Sequence, residues 1–240
     1  MNPYSLRAAE MLDNPPSRQG LLAGGAATSS SSGPIAVETP MPPRIDPATW
    51  APEAALELLY EGNRRFVAGE TIEPHRNLSR LKEIADRQAP FAAFLGCADS
   101  RVPIEIIFDQ GFGDLFVTRI AGNVATSENI GSLEFGTQVL GAKVLFVLGH
   151  TNCGAVAATM KRDPVPGQIS SLFQFIRPAV RAAGGSVNEA VCENVRLQAQ
   201  TLAEASPVLA ELIREGKLLV AGGVYDLATG RVTPVPLDGP

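Results

Sequence analysis

The chain has 240 residues, 45% of them hydrophobic, and a formal net charge of −5 at pH 7. That length can bury the core of one large α/β domain. The acidic balance argues against a nucleic-acid surface, and no run reaches the roughly 18 uninterrupted apolar residues of a membrane span. Three cysteines cannot build a disulfide framework, which points to a reducing compartment, with the cytoplasm as the default.

Residues 1–46 read as a disordered tail. Asn14-Pro15-Pro16, Gly24-Gly25, the run Ser29 to Ser32, Gly33-Pro34 and Pro40-Met41-Pro42-Pro43 leave no periodic apolar face. Arg7, Arg18 and the small apolar stretch from Leu21 to Ala27 have the flavour of a leader peptide. Glu10, Asp13 and two glycines argue against export. Order begins near Asp46-Pro47, so residues 47–240 form the expected folded domain.

Pro52 suits the first turn of a helix, where its missing N–H has no helical partner. Leu56, Leu59, Asn63 and Phe66 follow at helical spacing, with Tyr60 and Val67 beside them, and Gly69 ends the run. Residues Arg80 to Arg87 predict a short second helix before Pro90. Four apolar runs come next: Phe91 to Gly96, Leu115 to Ile120, Lys143 to Leu148 and Leu218 to Val224. Runs this short, apolar on both faces and separated by helices, predict strands of a buried parallel sheet. Asn129 to Leu140 reads as a helix closed by Gly141. Val187, Val191, Val195 and Leu202 mark a long helix. Ser206-Pro207 caps another, with Leu209, Leu212 and Ile213 inward and Gly216 as terminator. Arg231 to Val235 fits a final edge strand. The fold class is α/β: a central, mainly parallel sheet of four parallel strands plus an edge strand, flanked by helices, with no internal repeat.

Two short segments carry the chemistry. Cys97-Ala98-Asp99-Ser100-Arg101 and His150-Thr151-Asn152-Cys153-Gly154 together supply two thiolates and an imidazole, the ligand set zinc favours. The third cysteine, Cys192, lies far down the chain and takes no role. Three strong ligands leave one coordination position for water or substrate, the arrangement of a catalytic zinc. Cys97 falls at the carboxyl end of the first strand. His150 and Cys153 fall just past the carboxyl end of the third. Ligands of open α/β sheets bind at that edge. Free cysteines are often mere buried hydrophobes, but two of them at strand ends, one three residues after a histidine, argue for a metal.

These segments resemble the signatures C-x-D-x-R and H-x-x-C of the β-class carbonic anhydrases. Val102-Pro103, Asp109-Gln110-Gly111, Gly113-Asp114-Leu115-Phe116-Val117, Arg119, Ala121-Gly122-Asn123, Gly131-Ser132-Leu133-Glu134-Phe135, Val147-Leu148-Gly149-His150 and Gly222-Gly223-Val224-Tyr225-Asp226-Leu227 extend the likeness in order and spacing. It covers roughly residues 50–236. The resemblance implies a zinc lyase, a carbonate dehydratase, that hydrates carbon dioxide reversibly to bicarbonate and a proton. It implies one zinc per chain on Cys97, His150 and Cys153. Two thiolates cancel much of the metal's charge, so hydroxide should form on it only at mildly alkaline pH.

In the family, the arginine at Arg101 holds the aspartate at Asp99 off the metal, and Asp99 orients the zinc-bound hydroxide toward carbon dioxide. In some members the aspartate swings onto zinc as a fourth ligand, so Asp99 is either an orienting group or a reversible plug. Closing members carry a tryptophan three residues before the first zinc cysteine as part of a bicarbonate pocket. Phe94 stands there, which favours the open site, although Gly96 looks more like the closing type. The resemblance further implies substrate contacts from Gln88 across a dimer interface, aromatic walls from Phe116 and Phe135, and backbone N–H groups at Gly154. His75 is a candidate proton shuttle, with a solvated loop residue as the plainer reading. The family builds its sites at dimer interfaces, so the partner expected is a second copy, as a homodimer or a dimer of dimers. Two alternatives share these motifs: a carbon disulfide or carbonyl sulfide hydrolase, and a catalytically silent zinc protein for bicarbonate sensing or assembly. The intact Asp99–Arg101 pair speaks against the second. Residence in a carbon-fixing microcompartment or an organelle would leave no mark in the sequence.

Overall fold

The computed structural model describes residues 49–161 and 163–237, and Pro52 opens the first helix among them. The tail at residues 1–46 lies outside the described residues. Helix α1 (Pro52–Ala68) ends on Gly69 in the left-handed conformation, φ 72°, as the spacing predicts. Helix α2 spans Leu78–Glu83, shorter and earlier than Arg80 to Arg87, because the Asn77 side chain accepts the Arg80 N–H and fixes the start.

Five strands form one sheet among the described residues: β1 (Ala92–Gly96), β2 (Leu115–Arg119), β3 (Val144–His150), β4 (Leu219–Tyr225) and β5 (Val232–Pro234). Their order is β2-β1-β3-β4-β5. The first four are mutually parallel, and β5 runs antiparallel to β4. The chain thus leaves β1 toward β2 on one side and returns as β3 on the other. That reversal makes a crevice at the carboxyl ends of β1 and β3, where open α/β sheets bind ligands.

The strands β1 and β3 are buried throughout, as continuous apolar runs predict. By contrast, β2 is only half-buried, because it sits at the edge of the sheet. Alternate side chains face opposite layers. Ala93, Leu95, Leu145 and Val147 pack with Ile176, Val191 and Val195. Phe94, Phe146 and Leu148 pack on the other face with Leu59, Ile104, Ile107 and Phe108. A Cβ on Gly149 would stand 2.7 Å from the Val195 side chain, so glycine there lets a helix lie close on the sheet.

The remaining helices are α3 (Ile104–Ile107), α4 (Ser127–Glu134), α5 (Gly154–Lys161), α6 (Phe173–Ala182), α7 (Val187–Ala205) and α8 (Pro207–Arg214), with a 3₁₀ turn over Ile169–Leu172. The segment expected as one helix from Asn129 to Leu140 starts earlier, on a Thr126 cap, and loosens into π-helical turns over Phe135–Val139. Ser186 and Glu189 close a reciprocal capping box at the start of α7, and Ser206 caps α8 as its sequence predicts. None of the described helices is long and apolar enough to cross a membrane.

Candidate metal centre

Gly96, the last residue of β1, pairs in register with Leu148, and β3 then runs two residues further to His150. His150 is therefore the last residue of the strand, where the sequence placed it just beyond. Cys97 follows β1 directly, and Cys153 is followed at once by α5. The ligand atoms of Cys97, His150 and Cys153 lie within 4.8 Å of one another, and all three residues are buried.

A carbonyl can only accept, so His150 Nδ1, 3.0 Å from the Thr151 carbonyl oxygen, carries the proton. This leaves the Nε2 lone pair for the cluster. Nε2 is buried with no hydrogen-bond partner. A buried nitrogen without a partner costs free energy unless a cation takes its lone pair. One imidazole nitrogen and two sulfurs around that point fit zinc.

The two sulfurs do not ionise alike. Hydrogen bonding from the Cys153 thiol, aided by the Gly122 N–H, holds Cys97 well below the usual thiol range. The same contact with Cys97, together with burial, pushes Cys153 up. The Gly122 N–H lies 3.3 Å from Cys97 Sγ, and the Gly122 carbonyl accepts from Asn194 Nδ2 at 2.9 Å. Helix α7 thereby holds the loop that holds the thiolate.

Asp99 and Arg101 sit at the edge of the cluster. Arg101 Nε donates to Asp99 Oδ1 at 2.9 Å and Nη2 to Oδ2 at 2.8 Å, a bidentate pair, and the Arg101 backbone N–H adds a third bond at 2.9 Å. The guanidinium holds the Asp99 carboxyl well below the usual carboxylate range. Asp99 Oδ2 lies 3.9 Å from His150 Nε2. Arg119 ties this loop down, donating to the carbonyls of Cys97 at 2.9 Å and Asp99 at 2.6 Å.

The comparisons with known proteins agree with this geometry. The family model for carbonic anhydrases matches residues 92–232. The carbonic anhydrase of Mycolicibacterium smegmatis is 39% identical over 189 residues, which cover 75% of this chain and 92% of that protein. Carbonic anhydrase 2 of Mycobacterium tuberculosis is 39% identical over 188 residues, 75% of this chain and 91% of its own. The chain belongs to the β-class carbonic anhydrase family. Among solved structures, Coccomyxa β-carbonic anhydrase in complex with acetazolamide superposes with a TM-score of 0.60 at 29% identity, covering 75% of this chain and 86% of that one.

Against this β-class frame, the other expected residues divide. Phe116 on β2 and Phe135 at the start of the π-helical turns face each other with ring centroids 6.3 Å apart. Gly154 begins α5 on an exposed backbone, with nothing within 4 Å of where a Cβ would stand. Gln88 lies exposed on the loop after α2, and within one chain it makes no hydrogen bond to the cluster. Phe94, at the position of the closing members' tryptophan, is fully buried and stacks on Phe146 at 5.3 Å, so it belongs to the core.

His75 is not a solvated loop residue. Its Nδ1 lies 2.7 and 2.9 Å from the two carboxylate oxygens of Asp114, and its carbonyl accepts the Phe112 N–H. Cys192 is a partly buried thiol of α7, as its sequence position suggests. Sequence reasoning gave no role to Gly122, Arg119, Thr151 or Asn194. Arg119 and Gly122 stand in the stretch that carries the family likeness. Asn194 carries no local signal, because its partner is 72 residues away.

Proposed function

We propose that this chain is a zinc carbonic anhydrase that interconverts carbon dioxide and bicarbonate, with Cys97, His150 and Cys153 as ligands of one zinc per chain. The observation that carries the reading is the buried three-ligand cluster with a carboxylate–guanidinium pair at its edge. Zinc on three protein ligands supplies Lewis acidity, which lowers the pKa of water from about 16 toward about 7.

The chain's own residues do the rest. The Thr151 carbonyl fixes the His150 tautomer so that Nε2 faces the sulfurs. Asp99 accepts a hydrogen bond from the attacking water and so aims its lone pair at carbon dioxide. Arg101 occupies both Asp99 oxygens and keeps the carboxylate ionised and off the ligand atoms, which supports the open form of the site. Phe116 and Phe135 offer an apolar wall to an apolar gas, and the first N–H groups of α5 at Gly154 suit the anionic product.

Gln88 reaches the substrate only from a second copy. A homodimer or dimer of dimers is supported by exposed Ile72, Leu78, Leu81, Ile106 and Phe112. The segments that carry them are joined by hydrogen bonds from Phe112 N to the His75 carbonyl and from Arg80 Nε to the Phe112 carbonyl. We assign residues 47–240 as the catalytic domain and the cytoplasm as its compartment. The test is stopped-flow carbon dioxide hydration on metal-quantified protein beside Cys97→Ser. Fast turnover with one zinc per chain, lost in the variant, is the expected result. Bound zinc without turnover on carbon dioxide but with turnover on carbon disulfide would replace this reading.

A further inference from the structure

We infer that Thr151 is a positioning residue for the metal ligand His150, acting through its hydroxyl as well as its carbonyl; the inference rests on the zinc reading above. Thr151 lies between the two ligands His150 and Cys153 and is fastened at three atoms. Its N–H donates to the Tyr225 carbonyl at 2.9 Å, which merely prolongs the β3–β4 ladder. Its Oγ1 accepts the Leu227 N–H at 3.1 Å, a bond outside the ladder. Its carbonyl accepts from His150 Nδ1 at 3.0 Å.

The partner of the hydroxyl is itself fixed. Leu227 sits in the turn between β4 and β5, where Asp226 Oδ1 accepts the N–H groups of Ala228 at 2.7 Å and Thr229 at 3.1 Å. The Asp226 N–H donates across that turn to the Arg231 carbonyl at 2.8 Å. The β-branched threonine has few rotamers, so a hydroxyl held by a rigid turn also holds the backbone that aims its carbonyl. That carbonyl decides which imidazole nitrogen keeps a lone pair and where it points. Loss of a group that orients a metal-ligating histidine typically costs about 10–100-fold in metal affinity.

The same loop has a second fastening that does not reach the imidazole. The Asn152 N–H donates to Asn188 Oδ1 at 3.1 Å, with Asn152 in the left-handed region at φ 55°. Loosening the loop there distinguishes general slack from lost aim.

The experiment compares the full-length parent with Thr151→Val, Thr151→Ser and Asn188→Ala. It reads zinc release to a chromophoric chelator and the visible spectrum of the cobalt-substituted proteins. Thr151→Val keeps the shape and removes the acceptor; it should hold zinc about 10–100-fold more weakly and shift the cobalt bands. Thr151→Ser restores the hydroxyl and should return both readings to the parent's, and Asn188→Ala should leave both in place. Thr151→Ala gives the same reading if the valine protein does not accumulate in folded form. Valine retention equal to the parent's, or an equal loss in Asn188→Ala, overturns the inference alone. A parent that binds no zinc overturns the metal centre, and this inference with it.

Discussion

Replacing Gly122 by alanine tests whether the loop behind Cys97 is held by close packing. Gly122 has φ 78°, and an added Cβ would stand 2.7 Å from Ile176 Cδ1 and 3.2 Å from the Ala155 Cβ. Ile176 is fully buried in the core, so its methyl cannot swing away freely. The left-handed backbone alone costs alanine about 1–2 kcal/mol, and overpacking adds about 1–3 kcal/mol. Gly141 provides the control: its φ is 81°, yet nothing lies within 4 Å of its added Cβ. Gly141→Ala should therefore show the backbone cost only. For a domain this size each kcal/mol is worth about 2–4 °C of melting temperature. Thermal unfolding should fall by about 10 °C for Gly122→Ala and about 4–5 °C for Gly141→Ala. The first variant also moves the N–H that touches Cys97 Sγ, and zinc retention should drop about tenfold in that variant alone. Equal melting shifts, or full zinc retention in Gly122→Ala, would refute the reasoning.

Three further outcomes follow from the electrostatics. Once zinc is chelated, the Cys97–Cys153 pair should carry one thiolate at about pH 7, because the first ionisation is eased at Cys97 and the second opposed at Cys153; ultraviolet thiolate absorbance that shows two groups titrating together would contradict this. Asp99 has a folded pKa depressed by Arg101, so its stabilisation is present above the unfolded value of about 3.9 and is lost only as pH falls through the lower folded value. The melting difference between the parent and Asp99→Asn should accordingly stay constant from about pH 8 to about pH 5, and a gap that closes inside that window would count against it. Asp109 is fully buried and accepts from Arg65 Nε at 2.7 Å and from the N–H groups of Ile72 at 3.1 Å and Glu73 at 3.0 Å. Asp109→Asn turns an NH₂ toward one of these donors and should cost about 2–4 kcal/mol in urea unfolding while zinc content is retained.

The parts of this molecule that local pattern could show are the ones built from local interactions. Continuous apolar runs marked β1, β3 and β4, and the Ser206-Pro207 pair marked the start of α8. The run from Leu115 looked as buried as the others, but whether a strand is central or an edge depends on sheet order, which no single strand encodes. Helix α6 escaped notice because Pro178 interrupts it, although Phe173, Ile176 and Ala179 are its buried face. Where α turns give way to π turns at Phe135, Gly136 lies flush against the Phe116 ring, a tertiary contact that local pattern does not encode. His75 looked like a loop residue because its partner, Asp114, is 39 residues further on. The candidate metal cluster of Cys97, His150 and Cys153 was legible for the opposite reason: these residue types are rare here, and their spacing is a chemical signature.

That signature also explains why the two motifs have the lengths they do. His150 is aimed by the sheet, through the end of β3 and its Thr151 continuation onto β4. Cys153 must come back to the same point, and the left-handed Asn152 at φ 55° turns the chain so that α5 starts immediately after it. Contact with Cys97 and burial push the Cys153 thiol up, and the N–H groups of Ala155 and Val156 at the start of α5 offset only part of this. On the other strand, the carboxylate of Asp99 stands two positions beyond Cys97, with Oδ2 3.9 Å from His150 Nε2. Two more bring a guanidinium round to take both oxygens of that carboxylate. Arg119, from the neighbouring strand, closes the same turn through its carbonyls. The imidazole side thus depends on the sheet, and the carboxylate side on a turn clamped by two arginines.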